Sequence, residues 1–204
     1  MIRPGEVLTN RVTGETLIFH RTAAESNGES VLVETIVRPG GFVAAAHVHP
    51  DQSERFEILD GLVELRIGDE TQIVESGDVA VVPPKTPHRF RNVGDVDARF
   101  LCEIRPALQF ESLIETMFTL ADEGKTNRRG LPNPFRLAVI ADAHFDTVRL
   151  PSPPAFLQRA ALAAVAPLGR ILGYRAHADR RPTNRARVPA RRDPSSRPSM
   201  LYPE

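Results

Sequence analysis

Apolar and polar residues alternate in short segments from about residue 15 to residue 106. This period of two predicts strands with one buried face. Turn sequences separate the segments at intervals of about eight to twelve residues, as is typical of an all-β sandwich or barrel. Besides the segment that carries His47 and His49, the predicted strands are residues 16–19, 31–37, 54–59, 62–67, 71–74, 79–82, 89–92 and 98–105.

After residue 106 the apolar residues instead recur at three- and four-residue steps, which predicts amphipathic helices. The predicted helices are residues 108–124, 135–145 and 155–174. The last thirty residues are rich in arginine and proline and poor in apolar side chains, so they are expected to be disordered. The expected organisation is an N-terminal segment 1–14, a β-barrel 15–106, a helical segment 107–174 and a disordered tail 175–204.

Charge and cysteine content indicate the cellular compartment of the protein and the partners that its basic tail could bind. The net charge is zero, but residues 175–204 alone carry +5. The single cysteine, Cys102, excludes an intrachain disulfide framework. Residues 1–6 also lack the apolar run of a signal peptide. We therefore expect a cytoplasmic protein. Arg159 and Arg170 interrupt the helix 155–174 and argue against a membrane span. Peripheral membrane contact through residues 155–204 is a less favoured interpretation, and no motif for specific nucleic-acid binding accompanies the basic tail.

Three histidines and one carboxylate are spaced for a metal site. His47 and His49 are two residues apart, so on a strand both rings project from one face. Glu54 begins the next predicted strand, and His88 follows the strand 79–82 and a Pro-Pro turn. Three imidazoles with one carboxylate form a mixed nitrogen and oxygen site that suits one divalent ion of Fe, Mn, Ni, Co or Zn.

The same residues resemble the two sequence motifs of the cupin superfamily. The first motif is matched by Gly41, His47, His49, Glu54 and Gly61, and the second by Gly77, Pro83, His88 and Asn92. Lys85 stands where the second motif has a glycine. The resemblance implies a mainly β protein, a single cupin double-stranded β-helix (jelly-roll barrel) with C-terminal helices. It is nearest to small single-domain bacterial cupins of the quercetin-dioxygenase-like (cupin type-2) group, and it makes His47, His49, Glu54 and His88 the metal ligands.

Several activities are compatible with this ligand set. Iron would support dioxygen chemistry, whereas Mn, Ni or Zn would act as a Lewis acid. Glu54 either ligates the metal or serves as a catalytic general base. We therefore predict a metal-dependent, dioxygenase-like oxidoreductase that acts on a small organic molecule. The alternatives are a metal-dependent isomerase or cyclase, and a non-catalytic cupin that binds a small ligand.

The phase of the strands predicts which side chains line the substrate pocket. The candidates are Phe42, Phe56, Ile58, Phe90, Phe100 and Cys102. Such a pocket is apolar and suits a hydrophobic or aromatic small molecule. Cys102 is interpreted as a small core residue, not as a nucleophile. A homodimer is also expected, formed through residues 17–19 or through the helix 155–174.

Overall fold

The computed structural model describes residues 2–178 and 186–187. Its strands are β1 (Glu6–Asn10), β2 (Glu15–Arg21), β3 (Val31–Val37), β4 (Ser53–Asp60), β5 (Val63–Ile67), β6 (Glu70–Val74), β7 (Val79–Val82), β8 (His88–Asn92), β9 (Ala98–Arg105) and β10 (Ala186–Arg187). Its helices are α1 (Phe110–Asp122), α2 (Pro134–Ala143) and α3 (Ala155–Ile171). Every predicted strand of the barrel except the segment that carries His47 and His49 is present, as are all three predicted helices, with ends that differ by at most a few residues.

Two antiparallel sheets enclose the core. The larger sheet has the order β10-β1-β2-β3-β9-β4-β7, and the smaller has the order β6-β5-β8. In β2, β4 and β7 alternate side chains are buried, as the period of two predicts. Phe19, Leu65, Phe100 and Ile104 are almost fully buried in the core. The fold is thus mainly β, a jelly-roll barrel followed by helices, which confirms the predicted fold class.

The structure adds a strand that the sequence pattern does not indicate. Residues 1–14 were expected to be a separate segment, but β1 pairs with β2 over four residues, and Leu8 is fully buried. β2 therefore lies between β1 and β3, inside the sheet. This corrects the expectation that residues 17–19 form a dimer edge, because Leu17 and Phe19 point into the core. Residues 179–185 and 188–204 of the expected tail lie outside the described residues, so the disorder of the tail stays a prediction. Within the tail, Ala186–Arg187 pair with β1.

The segment that carries His47 and His49 is not a regular strand. Residues 41–49 run antiparallel to β8 but contact it only through isolated bridges, Phe42 to Arg91 and His47 to His88. The next residue, Val48, pairs instead with Arg149 beyond α2. Both histidines therefore reach the site, as the period of two predicts, but the backbone that carries them is less regular than a strand.

Helix α1 packs against the barrel, whereas α2 and α3 pack against each other. Phe110 and Phe118 of α1 join the barrel core, and Glu111 accepts a hydrogen bond from the Ala23 backbone N–H at 2.9 Å. α2 and α3 pack against each other so closely that a Cβ on Gly169 would lie 2.6 Å from Val139 Cγ2. None of the helices in the described part of the chain is long and apolar enough to cross a membrane.

Candidate metal centre

The four predicted ligands come together from three parts of the chain. Reciprocal backbone hydrogen bonds join His47 and His88, at 3.1 and 2.9 Å, so the segment 41–49 and the start of β8 lie side by side. Glu54 lies in β4, where it is paired with Val82 of β7, and its side chain points into the barrel together with Phe56 and Ile58. Strand pairing thus brings together residues that are up to 41 positions apart.

The side chains converge on one point. Glu54 places Oε1 at 3.1 Å from His49 Nε2 and Oε2 at 2.9 Å from His88 Nε2. The ring centroids of His47 and His88 are 4.2 Å apart, and those of His47 and His49 are 4.9 Å apart. One potential ligand atom from each of the four residues lies within 4.8 Å of all the others. Ligand atoms held about 2.1 Å from one ion lie about 3 to 4 Å from each other, so the cluster has the dimensions of a single metal site.

Backbone carbonyls determine which ring nitrogen of each histidine faces this point. The Nδ1 atoms of His47, His49 and His88 lie 2.9, 2.6 and 3.0 Å from the carbonyl oxygens of Ala45, Thr147 and Thr86. A carbonyl oxygen only accepts, so Nδ1 carries a proton in each ring. In the neutral rings Nε2 is then an acceptor with a lone pair toward the centre, which is how imidazoles are held for a metal.

The buried Nε2 atoms support a cation at the centre. Those of His49 and His88 are buried and make no hydrogen bond of good geometry, although Glu54 is close. Buried polar atoms are normally satisfied. Lone pairs from three rings and a carboxylate that face each other repel unless a positive charge lies among them. Their chemistry and spacing therefore fit one divalent ion, which His47, His49, Glu54 and His88 can hold.

In the metal-free cluster the neighbouring charges favour an ionised Glu54, and the pKa values of His47 and His49 shift in opposite directions. Burial would raise the pKa of Glu54, but the positive charges of the nearby His49 and His88 outweigh it and hold the pKa well below its usual range. Burial, and then the positive charges of His88 and His49, lower the pKa of His47 to about 3, although the residue stays partly exposed. For His49, burial opposes protonation, but the Glu54 charge outweighs it and raises the pKa. Glu54 is thus a ready-made anionic ligand or base.

The backbone conformation of the turn before His88 explains why the second motif has a glycine at the position of Lys85. Lys85 occupies that position and has a φ of 66°. This left-handed conformation suits glycine and costs other residues energy. Lys85 keeps it because its backbone N–H donates to the His49 carbonyl at 2.7 Å. The substitution therefore preserves the turn, and with it the position of His88.

Other motif residues support the scaffold instead of the chemistry. A Cβ on Gly41 would lie 2.7 Å from Val37 Cγ1, so only glycine lets the segment 41–49 leave β3 at this angle. Asn92 is buried; its Nδ2 donates to the carbonyls of Val37 and Val96, each at 2.8 Å. Both residues fix the strands that carry the histidines.

Most of the predicted pocket residues belong to the barrel core. The rings of Phe56, Phe90 and Phe100 pack together with centroids 5.3 to 6.5 Å apart. Phe56, Ile58 and Phe100 are buried, whereas Phe42 and Phe90 are partly exposed. Contact between these side chains and a substrate stays a prediction.

Cys102 lies on the neighbouring strand β9, opposite Phe56. Burial, and then the negative charge of Glu54, raise the pKa of its thiol well above the usual value. A protonated, buried thiol is a poor nucleophile. The structure therefore agrees with the interpretation of Cys102 as a core residue.

The groups that hold the ligands in place are not among the residues predicted from the sequence. Ala45 and Thr86 each lie two residues before the histidine they orient, so a local pattern could have indicated them. Thr147 lies 98 residues after His49, and no sequence signal connects the two. Gln52 is also missed: its buried amide donates to the carbonyls of Pro106 and Ala107 at 2.7 and 3.1 Å, which anchors the loop between His49 and Glu54.

Known proteins share this region of the chain. Residues 33–103 match the family model described as "Cupin domain". The chain is 36% identical over 80 residues to the uncharacterized protein MJ1618 of Methanocaldococcus jannaschii, covering 39% of this chain and 63% of that protein. It is 37% identical over 97 residues to quercetin 2,3-dioxygenase of Bacillus subtilis, covering 45% of this chain but only 27% of the enzyme.

A third relative is matched over most of its length. The chain is 32% identical over 111 residues to the polyketide synthase CurC of Streptomyces cyaneus, which covers 53% of this chain and 70% of that protein. The family model matches residues 33–103, which include the four converging side chains. This chain belongs to the cupin family.

Proposed function

We propose that the protein binds one divalent metal ion and is a dioxygenase-like oxidoreductase that acts on a small organic molecule. The observation that carries the proposal is the convergence of one nitrogen from each of three imidazoles and one carboxylate oxygen, all within 4.8 Å of one another. A bound ion would supply a site where dioxygen and an oxygen-bearing substrate meet, and this chemistry is typical of iron with histidine and carboxylate ligands. The similarity to quercetin 2,3-dioxygenase supports this choice of reaction.

The residues of this chain would have two roles, binding of the metal ion and transfer of a proton. His47, His49 and His88 would hold the ion. Glu54, ionised at neutral pH because of its histidine neighbours, would act as a ligand or would take a proton from an acidic substrate hydroxyl. The partly exposed rings of Phe42 and Phe90 offer apolar contacts to an aromatic substrate.

A second candidate is a metal-dependent cyclase or isomerase, and the similarity to the polyketide synthase CurC favours it. Enolisable ketones chelate a metal through neighbouring oxygens, so one ligand set serves both reactions. With a metal that is not redox-active, the ion would polarise the carbonyl and Glu54 would remove a proton beside it. A barrel that only binds a ligand is the third candidate.

Oxygen consumption separates the three candidates. The metal-free protein is loaded with Fe(II) or with Zn(II), and uptake of dioxygen is followed with an electrode in the presence of quercetin or of a β-diketone. We expect substrate-dependent uptake with Fe(II) and none with Zn(II).

Glu54→Gln should lower turnover more than it lowers the bound iron, and the pair His47→Ala/His88→Ala is the metal-free control. Product formation with Zn(II) and no oxygen would instead support the cyclase or isomerase. Failure to bind any of these metals would refute both enzyme proposals.

We also propose that the protein forms a homodimer through α3. The helix exposes large apolar side chains, including Phe156 at 70% and Ile171 at 81% of their surface. Its two arginines are exposed but form ion pairs, since Arg159 contacts Asp146 at 3.1 Å and Arg170 contacts Asp142 at 2.6 Å. An apolar helix face whose cations are already paired suits another protein surface better than anionic lipid.

A further inference from the structure

The three histidines of the candidate centre differ in where their support comes from. His47 and His88 are oriented by carbonyls two residues earlier in the same segment of the barrel. His49 Nδ1 instead donates to the carbonyl of Thr147 at 2.6 Å, the shortest of the three contacts. Thr147 lies after α2, outside the matched cupin region. One ligand of the centre is therefore held by the helical part of the chain.

The Thr147 carbonyl is itself held in place on both sides. Before it, the Thr147 N–H donates to the His144 carbonyl at 2.9 Å, in the turn that ends α2. After it, Val48 and Arg149 exchange two backbone hydrogen bonds, at 2.8 and 2.9 Å. These bonds attach residues 147–149 to the residue just before His49. Thr147 is only 2% exposed, so water does not compete for its carbonyl.

Side chains fix the same segment from outside. The Arg149 guanidinium lies 4.2 Å from the Phe145 ring centroid, and its Nε donates to the Phe145 carbonyl at 2.8 Å. A second contact joins the helical segment to the barrel nearby: a Cβ on Gly130 would lie 2.8 Å from Thr13 Cγ2 and 3.3 Å from Ala44 Cβ. The segment after the barrel is thus packed against residues 44–49 at two places.

We propose that residues 144–149 are an outer support of the metal centre, and that Thr147 is a positioning residue that holds the His49 ring through its backbone carbonyl. This inference rests on the proposed metal site but not on any reaction at it. Groups that hydrogen-bond a ligating histidine fix its tautomer and its orientation, and their loss typically weakens metal binding about 10- to 100-fold. The barrel alone would then present two well-oriented histidines and one that is free to rotate.

Arg149→Pro tests the support without changing a ligand, because proline removes the N–H that donates to Val48. Arg149→Ala is the matched control, since it removes the guanidinium and keeps that N–H. Binding of Co(II) is measured by competition with a chelator, together with the visible absorption of bound Co(II). We expect Arg149→Pro to bind Co(II) about 10- to 100-fold more weakly with an altered spectrum. Arg149→Ala loses the side-chain contacts to Phe145 but keeps both backbone bonds to Val48, so we expect it to lose much less affinity. A folded Arg149→Pro variant with wild-type affinity and spectrum would overturn the proposal.

A second measurement uses the unaltered protein and does not depend on the variant folding. Nitrogen-15 NMR of the imidazoles, with and without Zn(II), reports the proton on His49 Nδ1. We expect that proton to exchange slowly with water in both states, because the Thr147 carbonyl accepts it. Rapid exchange, or a neutral His49 protonated on Nε2, would overturn the proposal. Absence of oxygen uptake would refute the dioxygenase but would leave both of these results unaffected.

Discussion

Glu15 is a buried carboxylic acid that should make the stability of the protein depend on pH. It lies at the start of β2, with 8% of its surface exposed, and burial raises its pKa to about 7. Its ordinary value is 4.5. One pKa unit corresponds to about 1.4 kcal/mol, so ionisation of Glu15 should cost the folded state about 3 kcal/mol.

The sign follows from which state binds the proton. Between pH 4.5 and about 7 the unfolded chain has lost the Glu15 proton and the folded chain retains it. The free energy of unfolding therefore falls as pH rises through this window, and the penalty is constant above it. Replacement by glutamine removes the penalty. The advantage of Glu15→Gln over the wild type should be absent near pH 4 and should reach about 3 kcal/mol at pH 8.

Urea unfolding, followed by circular dichroism on metal-free protein from pH 4 to pH 8.5, measures this difference. Other groups with shifted pKa values, such as His47 and His144, are present in both proteins, so their contributions cancel. Glu29→Gln, at an exposed turn residue, is the control and should change stability little at any pH. A Glu15→Gln difference that does not vary between pH 4.5 and pH 8 would refute the argument from burial.

Three further predictions concern the metal, the turn at residue 85 and the oligomer. The pair His47→Ala/His88→Ala should reduce the metal measured by plasma mass spectrometry from about one equivalent to almost none, and equal metal in both proteins would place the ion elsewhere. Lys85→Gly should raise the free energy of unfolding by up to about 1 kcal/mol, because it relieves a left-handed conformation at some cost in chain entropy. A large loss of stability would contradict that account. Light scattering should show a wild-type dimer at micromolar concentration and an Ile171→Glu monomer, whereas a monomeric wild type would exclude the homodimer.

The sequence alone determines the barrel and the composition of the centre. The short apolar segments between turn residues predict β3, β7 and β9 with their observed ends, and a strand with one buried face cannot shift by one residue without exposing its apolar side chains. The spacing of His47, His49, Glu54 and His88 identifies the four converging side chains for the same reason. Each position on a strand fixes the side of the sheet that it faces.

Only the tertiary structure decides how those ligands are held. β1 was missed because its pattern is weak and its strand is stabilised by pairing with β2, which lies beyond any local sequence signal. The irregular backbone of residues 41–49 depends on two neighbours at once, β8 on one side and Arg149 on the other. The support of His49 by Thr147 joins residues 98 positions apart through a backbone carbonyl, a group that every residue carries. Sequence periodicity reports the face that a side chain occupies, whereas the partner of a backbone group is determined by how distant segments pack.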